Sequence, residues 1–170
     1  MKEVPKIDIA VEQLEDALDA YFEARYHSAI VLAGAAEQLL AAYVLKSGMK
    51  PAWSQMRSAI TKIANGLEQR KTGQPGITTE DDIGKLMNRA YNHSKHAGTK
   101  ELSVYMDPRF EAQEIIDRTI SNFDALSGLV EYELPVLPQA QRFIQESVDH
   151  VRFESNAEEL LSPVVGTGEA

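Results

Sequence analysis

The chain has 170 residues, no cysteine and a formal net charge of −9. That length supports one domain with a sizeable core, and the missing thiols exclude a disulfide frame and any cysteine-based zinc site. The acidic balance excludes a global basic field that gathers nucleic acid non-specifically, so any such contact must come from a local patch.

The opening MKEVPKIDIA lacks the apolar core of a signal peptide, and a cytoplasmic protein without membrane contact is the expectation. Residues 8–25 read as an amphipathic helix. Val11, Leu14, Leu18 and Tyr21/Phe22 recur at i, i+3, i+7 and i+10/11, and Glu12, Glu15, Asp16 and Asp19 point to solvent. A break at Arg25–His27 leads into residues 26–45, YHSAIVLAGAAEQLLAAYVL, the stretch around which the rest is organised. This run is apolar almost all the way round, which predicts a helix buried on every face. Glu37 and Gln38 interrupt it too strongly for a membrane span. Its small residues, Ala33, Gly34, Ala35 and Ala36, let a neighbouring element come close. Glu37 itself is an ionisable group in a core helix. It either bonds a cation from a neighbouring helix or supports a polar site.

Ser47–Gly48 ends the central helix, with Gly48 as a left-handed cap. A third helix follows Pro51 and carries Trp53, Met56, Ile60, Ile63 and Leu67 as a core stripe. KTGQPGI, residues 71–77, is a loop. Thr78 and Thr79 before Glu80, Asp81 and Asp82 mark the start of a fourth helix that runs to His96 or Ala97. LSVYM, residues 102–106, reads as an extended linker. Asp107-Pro108 opens a fifth helix with Ala112, Ile115/Ile116, Ile120, Phe123, Leu126 and Val130, stopped by Pro135. A sixth begins at Pro138 with Phe143, Ile144, Val148 and Val151, and residues 155–170 form a tail. The expected fold is therefore all-α: an up-and-down helical bundle of four to five main helices plus a C-terminal helix, one domain over 1–154 and a flexible C-terminal tail over 155–170.

One constellation has the parts for chemistry. On the fourth helix, Lys85, Arg89, Asn92, His93 and His96 fall within one arc of roughly 100°. Ile83, Met87, Ala90, Tyr91 and Ser94 take the opposite, core-facing side. From Ile83 to Lys100 there is no acidic residue, in a chain that is acidic elsewhere. Arginine holds a phosphate through paired hydrogen bonds, and histidine moves a proton near neutral pH. Together they suit phosphodiester cleavage without a metal. The same face also fits solvated surface, or salt-bridge partners for Glu37 or a second subunit. His93 and His96 stand at i, i+3, but no carboxylate sits among them, so no metal site is expected. No glycine-rich phosphate loop, serine elbow or carboxylate pair appears, and no cofactor is expected.

Two stretches, SAIVLAGAAEQLLAAYVL with Ala36-Glu37 and NRAYNHSKH with Arg89 and His96 enclosing six residues, resemble the HEPN superfamily of small helical-bundle proteins. The resemblance covers roughly residues 8–133. It implies a homodimer with two copies of the motif facing across a cleft, and metal-independent RNA endonuclease activity of toxin–antitoxin or defence type. On that reading Arg89 binds and polarises the scissile phosphate and His96 is general acid or base. Glu37, Lys85, Asn92 and His93 support or bind, and RNA, an antitoxin or another protein are partners. The alternative, motivated by the net charge and by Ala90 and Tyr91 within the motif, is a non-catalytic dimeric interaction or regulatory module of the same fold.

Overall fold

A computed structural model describes residues 2–96 and 103–148. The described residues contain helices and loops and no strand, so the chain is an all-α helical bundle. In order the helices are α1 (Lys6–Phe22), α2 (Tyr26–Lys46), α3 (Ala52–Thr72), α4 (Glu80–Met87), α5 (Arg89–Lys95) and α6 (Pro108–Ser127). A further helix, α7, spans 138–148. One compact unit ends at Pro135, and α7 belongs to the unit that follows.

Within the first unit α2 packs most extensively on α1 and α6 and also meets α5. Each partner offers an apolar stripe at helical spacing. α1 buries Val11, Leu14, Ala17 and Leu18, and α6 buries Ala112, Ile115, Ile116, Ile120, Phe123 and Leu126. α2 buries Ala29, Ile30, Ala33, Gly34, Ala36, Leu40 and Val44 against them. Each large aliphatic side chain taken fully out of water here stabilises the fold by about 1.5–3 kcal/mol, which makes this three-helix contact the main stabilising element.

The turns are set by local chemistry. After α2, Gly48 takes φ +76. The Gly48 N–H then reaches the Leu45 carbonyl at 3.0 Å and the Met49 N–H reaches that of Val44 at 3.1 Å, which closes the helix end as the sequence predicts. After α1 the same motif is built on Ala24, at φ 58, with the Arg25 N–H on the Ala20 carbonyl at 2.8 Å. α6 starts as expected: the Asp107 carboxylate accepts from the Arg109 and Phe110 N–H groups at 3.1 and 3.2 Å. α3 has no side-chain cap of its own. Its Ala52 N–H is taken at 2.8 Å by Oδ1 of Asn122, a buried side chain on α6.

Several expectations are corrected. α1 begins at Lys6 and ends at Phe22, and the break falls at Glu23–Arg25. α2 is not buried on every face: Gln38, Ala42 and Leu45 are exposed, because its neighbours cover only part of its circumference. α3 buries no residue at all. Trp53, Met56 and Ile60 are half-covered, whereas Ile63 and Leu67 are 62% and 59% exposed. Its stripe is real, but α4 is short and only part of α6 lies beside it. The fourth helix is interrupted at Asn88 and divides into α4 and α5. α6 stops at Ser127, and Val130 is fully exposed beyond it.

In the second unit Leu137, just before the start of α7, Ala140 and Phe143 are buried, while Ile144 and Val148 are exposed. Val151, the expected boundary at 154 and the tail over 155–170 lie outside the described residues, as does the start of the expected linker.

Candidate functional site

The cationic face is held by α4 and α5, and polar ties fix α4 first. Thr79 and Asp82 form a reciprocal capping box. The Asp82 N–H donates to Thr79 Oγ1 at 3.2 Å, and the Thr79 N–H donates to Asp82 Oδ2 at 3.1 Å. Thr79, through its side-chain and backbone hydrogen bonds, holds the Asp82 carboxyl below its ordinary range. The Asn65 amide on α3 bonds both the N–H and the carbonyl of Thr78, each at 2.9 Å. Arg57 reaches Glu80 at 2.9 Å while its guanidinium lies 4.3 Å over the Trp53 ring. Gly84 permits this approach, since a Cβ there would stand 3.1 Å from Trp53 and 3.3 Å from Arg57.

α5 is anchored by Tyr91. Its ring lies directly on Gly34 of α2, where any Cβ would collide with it. The run of small residues in α2 is therefore used at this point to admit an aromatic ring. Ala90 and Tyr91 are buried, as is Ile83 on α4, and Met87 and Ser94 are half-buried. The break at Asn88 leaves this side intact, because the Asn88 N–H still bonds the Gly84 carbonyl at 3.2 Å and the Asn92 N–H bonds that of Asn88 at 3.0 Å.

Lys85, Arg89, Asn92, His93 and His96 are all exposed, but they do not share the single helical arc expected: Lys85 is on α4, Arg89, Asn92 and His93 are on α5, and His96 caps the end of α5 in an extended conformation. Their local partners differ. Lys85 bonds Asp81 at 2.6 Å, which raises the lysine pKa and commits its charge to its own helix. Arg89 donates from Nη2 to the Tyr105 carbonyl at 3.1 Å, tying α5 to the segment before α6. Among the described residues Asn92, His93 and His96 make no side-chain hydrogen bond or ion pair. No group of three or more metal-binding side chains occurs among the described residues.

Glu37 lies in the α2–α6 seam. Arg118 grips it with Nε at 2.7 Å and Nη2 at 3.2 Å, and both side chains are buried. Glu37 thus makes an ion pair with a neighbouring helix, and its partner comes from α6 rather than from the α4–α5 face. Thr119 completes the seam, its hydroxyl reaching the Ala33 carbonyl at 3.1 Å and the Ile115 carbonyl at 2.7 Å.

Sequence reasoning missed three residues. Arg118 falls at i+3 from Ile115 on the stripe of α6, and a lone arginine at such a position was the available signal. Burial pushes the Glu111 carboxyl up against the pull of Arg89, with smaller effects of Glu114 and Asp107 upward and Arg118 downward. Asp117, half-buried on the same helix, is pushed up to about 6 by burial and by the neighbouring Glu114, against the pull of Arg118. Neither acid carries a spacing signal. No family model, curated protein or solved structure matches the chain.

Proposed function

We propose that the chain is an HEPN-like RNA endonuclease that acts without a metal ion through the exposed side of α5. The observation that carries this reading is the sorting of α5 and of the residue that caps its end. Ala90 and Tyr91 are buried against the core, while Arg89, Asn92, His93 and His96 reach solvent together. Arg89 binds the scissile phosphate. Its bond to the Tyr105 carbonyl uses one of five guanidinium donors and leaves the others for the ligand. His96 acts as general acid or base on the attacking 2′-hydroxyl or the leaving oxygen. Asn92 and His93 contact the neighbouring backbone, and Lys85 joins them only by leaving Asp81. A homodimer and an antitoxin-type partner follow from the resemblance, and with the cytoplasmic setting expected from the N-terminus they belong to the same proposal. The test is incubation of mixed RNA with the wild type and with Arg89→Ala and His96→Ala. Wild-type cleavage with at least a hundredfold loss in both variants, on the order of one general acid–base contribution, supports the reading. Equal rates in all three remove it.

A second reading, a non-catalytic dimeric interaction or regulatory module, is favoured by α3. Ile63 and Leu67 stand one helical turn apart on an exposed face, and apolar surface of that kind marks partner contacts. Ile63→Ser/Leu67→Ser is then expected to abolish a dimer seen by sedimentation. An unchanged mass removes α3 as the contact.

A further inference from the structure

Tyr105 is 96% exposed and stands in the segment 103–107, which has no regular structure. Solitary exposed aliphatic residues are ordinary, but an exposed aromatic side chain near a cationic face is a recurrent feature of single-stranded nucleic-acid binding. The backbone around Tyr105 is held at two points. Its carbonyl accepts from Arg89, and two residues later Asp107 caps α6. The ring is thus carried on a restrained backbone within reach of the guanidinium that the proposed function places on a phosphate.

We infer that Tyr105 is a base-stacking platform beside Arg89. The inference rests on the proposed function and adds to it a residue that holds a base where Arg89 holds a phosphate. Every base has a π-face, so stacking on Tyr105 recognises an unpaired nucleotide without reading its identity. A duplex keeps its bases stacked on one another and offers the ring nothing. Arg89 is the natural companion, because one residue then touches the phosphate while its backbone acceptor carries the ring that holds the base. Glu111, which feels the Arg89 charge, and the net charge of −9 oppose a polyanion, and with few cations on this face few counterions are released, so binding is expected to weaken only gently with salt.

The experiment is fluorescence anisotropy at low ionic strength with a labelled single-stranded RNA and a labelled duplex of the same sequence. Wild type, Tyr105→Ala, Tyr105→Phe and Arg89→Ala are compared, with circular dichroism confirming that each is folded. Tyr105→Ala is expected to weaken the single strand about five- to a hundredfold, with Tyr105→Phe close to wild type and the duplex little affected. Tyr105→Ala binding as tightly as wild type, while Arg89→Ala loses the RNA, overturns the stacking role and leaves the cleavage proposal standing. Wild type that binds neither RNA overturns both.

Discussion

Two regions of this chain carry the same kind of sequence signal and end differently. α1 and α6 each present an apolar stripe, and α2 covers both, so Leu14, Leu18, Ile115, Ile116 and Leu126 are buried. α3 presents Trp53, Met56, Ile60, Ile63 and Leu67 at equally regular spacing and buries none of them. Its attachment is polar: Arg57 to Glu80, Asn65 to Thr78 and Ala52 to Asn122. Periodicity identifies the apolar face of a helix. Whether that face is covered depends on the length and placement of its neighbours, which no single helix encodes.

The sharpest way to break the comparison is through the Glu37–Arg118 pair. Glu37→Leu leaves a buried guanidinium unpaired and is expected to lower unfolding stability by about 3–5 kcal/mol. The double variant Glu37→Leu/Arg118→Met removes both charges and should recover most of that loss. Chemical denaturation of the three proteins checks this, and a double variant as unstable as the single one contradicts it. Next in size, Gly34→Ala drives a methyl into the Tyr91 ring and should cost about 1–3 kcal/mol. Because Tyr91 anchors α5, the same change should reduce RNA binding if the face is the site.

Asp117 gives a pH-dependent test. Its folded pKa, pushed up to about 6, lies above the ordinary value of 3.8, so the folded state holds its proton more tightly than the unfolded chain. Its contribution therefore favours folding most at low pH, is lost as pH rises from about 4 to about 6, and stays lost above that. Asp117→Asn should accordingly stabilise the protein at neutral pH, by on the order of 1 kcal/mol after allowing for solvent screening. Little difference should remain near pH 4, as denaturation at both values will report. The smallest effect belongs to α3. Leu67→Ala should change the stability of a single chain by no more than about 0.5 kcal/mol, whereas Leu40→Ala in α2 should cost about 2–5 kcal/mol. Comparable losses from the two would mean that the α3 stripe is covered after all.

The legible parts of the fold were those written locally. Gly48, Thr79 with Asp82, and Asp107-Pro108 announce helix ends through short-range hydrogen bonds, and the structure has them. The inward side of α5, Ala90 and Tyr91, followed from spacing alone. What escaped the sequence depends on distant partners: Arg118 reaching Glu37 across a helix seam, Asn122 capping α3 from α6, and Tyr91 filling the place of a Cβ on Gly34. The tie from Arg89 to Tyr105 is of the same kind, because a backbone carbonyl leaves no trace in residue type. The break at Asn88 was equally hidden, since the hydrogen bonds around it continue and asparagine is tolerated in either state.

The most direct test of the account is the chemistry of the RNA ends made in the presence of EDTA. Metal-independent cleavage by Arg89 and His96 predicts fragments with 2′,3′-cyclic phosphate and 5′-hydroxyl ends, formed by wild type and lost with His96→Ala. Intact RNA, or the same ends at the same rate from His96→Ala, would contradict it.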